Sequence, residues 1–196
     1  MTDDAVIKKF TRRVPHWRPR VTPVDLGEAT EAQRDAMKVT PSNRKVSDYI
    51  LTLAHDPESL AVRSPLFNAI MYHDGGLDRA GRELGAVAAS IVNRCVYCAA
   101  VHAGRMPDDD ASRAAIDEIF GKGEAAVLEG RAAAIFAAGL ALSRAPSAFG
   151  PEHVEALTEA GVSQDEILDL VLSVALFGWA NRLMHVLGDP VRKDTP

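Results

Sequence analysis

The sequence predicts an all-α protein, and three features predict it. Apolar residues recur at three- and four-residue spacings through most of the 196 residues, which is the period of helices with one buried face. No stretch alternates apolar and polar residues between hairpin-type turns, as half-buried strands do. Helix punctuation is frequent, with prolines after Asp56 and Ser64 and glycines at 75, 76, 104 and 161.

The elements follow in order. Residues 1–24 carry Lys8, Lys9, Arg12, Arg13, Arg18 and Arg20 among prolines 15, 19 and 23, with no amphipathic spacing; this segment reads as an extended N-terminal arm, solvated or laid across a neighbouring subunit. A single helical domain then spans 25–190. Thr22 and Asp25 have the spacing of a capping box, which places a first helix from there to about Val39. A second covers 46–54. Pro57 after Asp56 and Pro65 after Ser64 each suit the first turn of a helix, so two short helices are expected before His73. From Asp78 to Asn93, Leu84, Val87 and Ile91 form one apolar stripe with Glu83 at its edge. A tight turn at 93–95 leads into a short helix, 96–104, closed by Gly104 and Pro107. Three aspartates, 108–110, suit the start of a helix running to Phe120. Residues 124–144 read as one alanine-rich helix whose Gly130 and Gly139 admit a close neighbour. Pro151 opens a helix that ends at Gly161, and Ser163 with Glu166 caps a long apolar final helix to Leu187.

The charge of −5 and pI near 5.7 supply no basic field for a phosphate backbone, so no nucleic-acid partner is expected. The N-terminal residues lack a secretory apolar core. The stretch 167–187 is interrupted by Asp169, Ser173, Asn181, Arg182 and His185, so no membrane span is expected and the chain reads as cytoplasmic. The final helix and the arm together expose enough apolar surface to predict a homo-oligomer.

Chemistry concentrates on the two cysteines, Cys95 and Cys98. They form a C-x-x-C pair, and His102 follows Cys98 by one helical turn, on the same face. Cysteine attacks as thiolate, and a neighbouring base or a helix N-terminus lowers its pKa; Cys98 is expected to have both. Cys95, expected at an exposed turn, is placed to close a disulfide with an oxidised Cys98. Glu83 reaches His102 if the helices before and after the turn pack antiparallel, and there it orients the imidazole.

The pattern Glu83-x11-Cys95-x2-Cys98-x3-His102, within RELGAVAASIVNRCVYCAAVH, resembles the alkylhydroperoxidase D family of the carboxymuconolactone decarboxylase-like superfamily. Tyr49-Ile-Leu-Thr-Leu-Ala-His-Asp-Pro57 and Gly178-Trp-Ala-Asn-Arg182 are similar to its peroxidase-related subgroup. The resemblance implies an alkylhydroperoxidase D-like helical bundle, oligomeric, with Cys98 as the thiol that meets peroxide, Cys95 as its resolving partner, and Glu83 with His102 as a proton relay. Tyr97 stands where the family's well-characterised enzymes have a histidine, so that residue's share of the relay is absent. No cofactor or metal is expected. The substrate class is a peroxide, and a dithiol, lipoyl or thioredoxin-like, is the expected reductant.

Other readings compete. Cys95, Cys98, His102 and Glu83 are permissible zinc ligands, which allows a zinc-stabilised or redox-sensing protein without turnover. General disulfide exchange is a second alternative, and lactone decarboxylation a third, though it has no evident use for two thiols. His55, His73 and His185 read as structural, His16 and His153 as exposed, and Trp17 and Trp179 as core. Asn181 and Arg182 sit in an apolar helix and need partners, either across a subunit interface or in a substrate cleft. The Asn-Arg dipeptide at 93–94 and 181–182 reads as coincidence rather than as a duplicated hairpin.

Overall fold

The structure, a computed structural model, describes residues 5–38 and 46–192. It is mostly helical and adopts the expected fold class. The helices are α1 (Glu31–Ala36), α2 (Asp48–Leu53), α3 (Pro57–Tyr72), α4 (Arg79–Val92), α5 (Val96–Ala103), α6 (Asp110–Lys122), α7 (Gly130–Ser143), α8 (Pro151–Glu159) and α9 (Gln164–Leu187). Two short strands, β1 (His16–Pro19) and β2 (Gly188–Val191), pair antiparallel and join the beginning of the chain to its end. Four-residue strands containing proline lie below what alternation can reveal, which is why the sequence showed none.

α4 occupies the centre. Every residue from Gly81 to Ile91 is buried, because α5, α7 and α9 each pack along it. Its small residues make that possible. A methyl group added at Gly139 of α7 would stand 2.7 Å from the Ala88 side chain, and one at Gly85 would meet Leu170 at 2.8 Å. The close approach expected at Gly139 is therefore present, and it is made to α4.

Several boundaries differ from expectation. α1 begins at Thr30, whose hydroxyl accepts from the Gln33 amide while the Gln33 side chain accepts from the Thr30 amide. Asp25 instead turns back onto the Gly27 amide at 2.7 Å, so the box at Thr22 goes unused. The expected end at Val39 lies outside the described residues. α3 is one continuous helix with Pro65 inside it, since the lost hydrogen bond falls on its solvent side beside exposed Ala61, Val62 and Leu66. The alanine-rich segment is divided: a 3-10 turn covers Gly123–Ala125, and α7 starts at Gly130 in the left-handed region, φ 55°.

α9 is buried along one face only. By length and composition alone it could cross a membrane, as could the run 110–143. One side packs on α3, α4 and α7, while Leu168, Leu172, Ala175, Trp179 and Val186 stand exposed on the other. Trp179 is thus not core, as had been expected, and His185 is exposed with its Nε2 2.8 Å from the Asn93 carbonyl.

Arg82 is 2% exposed and locks the loop before α4 to α9. It donates to the carbonyls of His73 (2.9 Å) and Gly75 (2.7 Å) and to Asp169 (3.0 Å), whose carboxylate also accepts from the Leu77 amide at 2.9 Å. Arg82→Met should leave Asp169 without its cation and cost about 3–5 kcal/mol. Urea unfolding measures this, with an unchanged m-value and a lowered midpoint as the expected result.

Candidate active site

The site is built by one reversal of the chain. Asn93 and Arg94 close α4, and Arg94 takes φ 58°, so α5 folds back along the helix it has just left. That antiparallel return brings Glu83 and His102 together, nineteen positions apart. His102 Nδ1 makes a short hydrogen bond to Glu83 Oε2, and the Arg79 guanidinium pairs with Oε1. All of Glu83 is buried, rather than lying at a helix edge as its place beside the stripe suggested. Burial pushes its pKa up, but the positive charges of His102, Arg79 and Arg105 prevail and hold it below the ordinary carboxylate value. With Nδ1 occupied, Nε2 is the nitrogen left to the cavity that His102 lines. Phe177 fixes the ring edge-on at 4.0 Å.

Cys95 and Cys98 are both free thiols, with sulfurs 2.9 Å apart. Their surroundings differ. Cys98 lines a cavity of about 140 Å³ together with His102, Tyr49, Tyr97, Phe67 and Phe177. Cys95 lies behind it, 3% exposed, as the residue preceding α5. The turn position was expected to expose Cys95; it is instead buried in an apolar cluster that includes Trp17, Tyr49 and Met184.

The charge also sits differently from expectation. Cys95 is held below the ordinary thiol value by the Cys98 hydrogen bond and by the α5 amides of Tyr97 and Cys98, against its burial. Cys98 is pushed up, by the hydrogen bond to Cys95, by burial and by the Cys95 charge. The pair therefore titrates as a unit, with Cys95 favoured over Cys98 for the first negative charge. The sulfurs stand 2.9 Å apart, within hydrogen-bonding reach, so one proton can be shared between them.

Asn181 is the residue that the sequence misplaced. It is fully buried where α9 crosses α4, 3.2 Å from Asn93 Nδ2 and 3.3 Å from Ser90 Oγ, and its amide is within hydrogen-bonding reach of the Cys98 sulfur. Arg182, next to it, is exposed and folds back on the Gly178 carbonyl. The repeated Asn-Arg dipeptide thus places two asparagines in contact. A polar residue inside an apolar helix was the signal; which face of α9 carried it was not legible. Tyr97 lines the cavity, its pKa raised by burial and the Cys98 charge, so its hydroxyl stays protonated.

A zinc site would need Cys95, Cys98, His102 and Glu83 to converge. Glu83 is instead taken up by His102 and Arg79. Among the described residues no group of three His, Cys, Asp or Glu side chains is arranged to hold a metal ion.

Residues 57–142 match the model of the carboxymuconolactone decarboxylase family. Among solved structures, the chain is similar to the alkylhydroperoxidase AhpD core of an uncharacterized peroxidase-related protein from Ralstonia eutropha JMP134, with 25% identity, a TM-score of 0.75, and 92% of this chain and 94% of that one covered. It shares its fold with an uncharacterized peroxidase-related protein from Silicibacter sp. TM1040, at 18% identity and TM-score 0.64 over 83% and 93% of the two chains. It shares it also with the debrominase Bmp8, at 19% identity and TM-score 0.70 over 89% and 92%. No curated protein matches the chain.

Proposed function

We propose that the chain, whose residues 57–142 match the carboxymuconolactone decarboxylase family and which is similar over most of its length to an alkylhydroperoxidase core, is a thiol peroxidase working through the Cys95–Cys98 pair. The observation that carries the reading is the asymmetry of the pair: Cys98 faces a cavity beside a Glu83-bound imidazole, while Cys95 waits 2.9 Å behind it. The Cys98 thiolate attacks the terminal oxygen of a hydroperoxide, and the O–O bond breaks. The leaving oxygen takes a proton from His102 Nε2 and departs as water or alcohol, leaving Cys98 as sulfenic acid. The Cys95 sulfur displaces that hydroxyl as a second water, and the disulfide forms. An external dithiol returns both electrons and protons, itself becoming a disulfide.

Stopped-flow mixing of the reduced protein with hydrogen peroxide and with an organic hydroperoxide tests the reading: one disulfide should form per peroxide consumed. A dithiol should then regenerate the enzyme faster than a monothiol at equal thiolate, because its second sulfur closes the mixed disulfide intramolecularly. Equal turnover with glutathione and dihydrolipoamide would count against a dithiol carrier.

The exposed row on α9 supports a homo-oligomer. Leu168, Leu172, Ala175, Trp179 and Val186 recur at spacings of four, three, four and seven, the seam with which helices pair. Trp179 is 44% exposed and Leu168 58%. Sedimentation should show an assembly for the wild type and a smaller species for the double variant Leu172→Glu, Trp179→Glu. A 21 kDa species alone for the wild type at micromolar concentration would refute it.

A further inference from the structure

The wall opposite the thiol holds cations and donors that the peroxide step leaves unused. Arg63 of α3 lies with its guanidinium carbon 3.8 Å from the Phe67 ring centre and 5.6 Å from that of Tyr49. Among the described residues no carboxylate forms an ion pair with Arg63 or with Arg105, and both line the cavity. Arg63 Nε is a buried atom with no hydrogen-bond partner, and the Tyr49 hydroxyl, which the Arg63 guanidinium can only donate to, has no acceptor for its own proton. Buried donors without acceptors are costly, and native proteins keep few of them outside sites that receive a ligand.

The charges near the cavity do not balance. Glu83 is already countered by Arg79 and His102, and the thiol pair contributes one negative charge when ionised. Of the two guanidiniums lining the cavity, Arg105 also acts on Glu83, and Arg63 has no carboxylate of its own among the described residues. Burial raises Tyr49 to about 12, so its phenol remains an O–H donor at any working pH.

We propose that this cavity binds a small organic acid, with Arg63 and the Tyr49 hydroxyl holding its carboxylate and the aromatic wall holding its apolar body. A carboxylate accepts from the guanidinium through two parallel hydrogen bonds and supplies the acceptor the phenol lacks. The volume limits the body: about 140 Å³ is close to the roughly 150 Å³ void that holds one benzene molecule. A ring or a branched chain of similar size fits, and a long acyl chain does not fit whole. Carried onto the peroxidase reaction, on which this last step rests, the clamp makes small hydroperoxides bearing a carboxylate the preferred substrates.

Benzoate and its neutral isostere benzamide test the clamp without turnover. The reduced protein is alkylated with iodoacetamide at increasing concentrations of each, and modification of Cys98 is read by peptide mass. Benzoate should half-protect Cys98 at a concentration at least ten-fold below that of benzamide. Arg63→Gln should bring the two within about two-fold, and Arg63→Lys should restore part of the preference. Equal protection by both probes, protection by neither, or a preference that survives in Arg63→Gln overturns the clamp. Benzoate protection in a protein that consumes no hydroperoxide supports the clamp and refutes the peroxidase reading instead.

Discussion

Cys98→Ser should abolish the reaction with peroxide, although Cys95 remains a free and readily ionised thiol. The cavity reaches Cys98 and not Cys95, so the thiolate that remains has no access to substrate. Cys95→Ser should behave oppositely. Cys98 should react once and stop as a sulfenic acid that dimedone traps, because no second sulfur stands 2.9 Å away to condense with it. Its pH dependence should also change. In the wild type the first charge of the pair is favoured on Cys95, held below the ordinary thiol value first by the Cys98 hydrogen bond and then by the α5 amides. Without Cys95, the first ionisation belongs to a buried Cys98, and burial opposes its charge. Thiolate absorbance near 240 nm should therefore appear at higher pH in Cys95→Ser than in the wild type, and the single reaction with peroxide should recover as the pH rises. If Cys95→Ser is inert while Cys98→Ser forms a sulfenic acid, the roles are reversed. If both react like the wild type, the thiol mechanism is wrong.

The second large effect falls on the relay. His102→Ala removes the group that protonates the leaving oxygen, and the peroxide step should slow by roughly 10²–10⁴-fold, the usual range for a positioned acid. Cys95 and Cys98 should still form a disulfide with diamide, since their geometry does not depend on the imidazole. Glu83→Gln should slow the same step and add little to His102→Ala, because the two act as one unit. Glu83 also carries a stability signature. Its folded pKa lies below the unfolded value of about 4.3. The stabilisation it contributes is present above that unfolded value and is lost as the pH falls through the folded one. Acid unfolding monitored by far-UV circular dichroism should thus show a shallower loss of stability below about pH 4.3 in Glu83→Gln than in the wild type. An additive double variant, or identical acid profiles, would separate Glu83 from the relay.

How much of this could be read from the chain differs by element. The position of α4 was legible because Asp78 caps it and its stripe is regular. The meeting of Glu83 with His102 was legible because a tight turn between two helices leaves few ways to pack them. The thiol electrostatics were not: α5 starts at Val96 as expected, but the amides of its first turn act on Cys95, the residue before it, where the sequence assigns the effect of the helix N-terminus to Cys98. Arg63 and Tyr49 were not identified as parts of the site, and Asn181 only as one of two alternatives. Each lies far from the C-x-x-C motif in sequence, and only tertiary packing of α2 and α3 brings Tyr49 and Arg63 to the cavity and of α9 brings Asn181 to Cys98. The continuity of α3 through Pro65 escaped for a related reason: propensity weighs the proline, while packing of Leu60, Phe67 and Ile70 holds the helix together.

The pairing of β1 with β2 sets an order of events during synthesis. Trp17 in β1 packs edge-on against Tyr49 at 5.6 Å, and its indole donates to the Met184 carbonyl at 3.3 Å; Tyr49 and Met184 both form cavity wall. Its strand partner is Gly188–Val191. At ordinary elongation rates, roughly ten to thirty seconds separate translation of the two strands. The helices carrying the thiols are made within that interval, so a growing chain holds its dithiol before this part of the cavity wall is braced. A protein clipped within β2 should therefore keep its cysteines while the wall around them loosens.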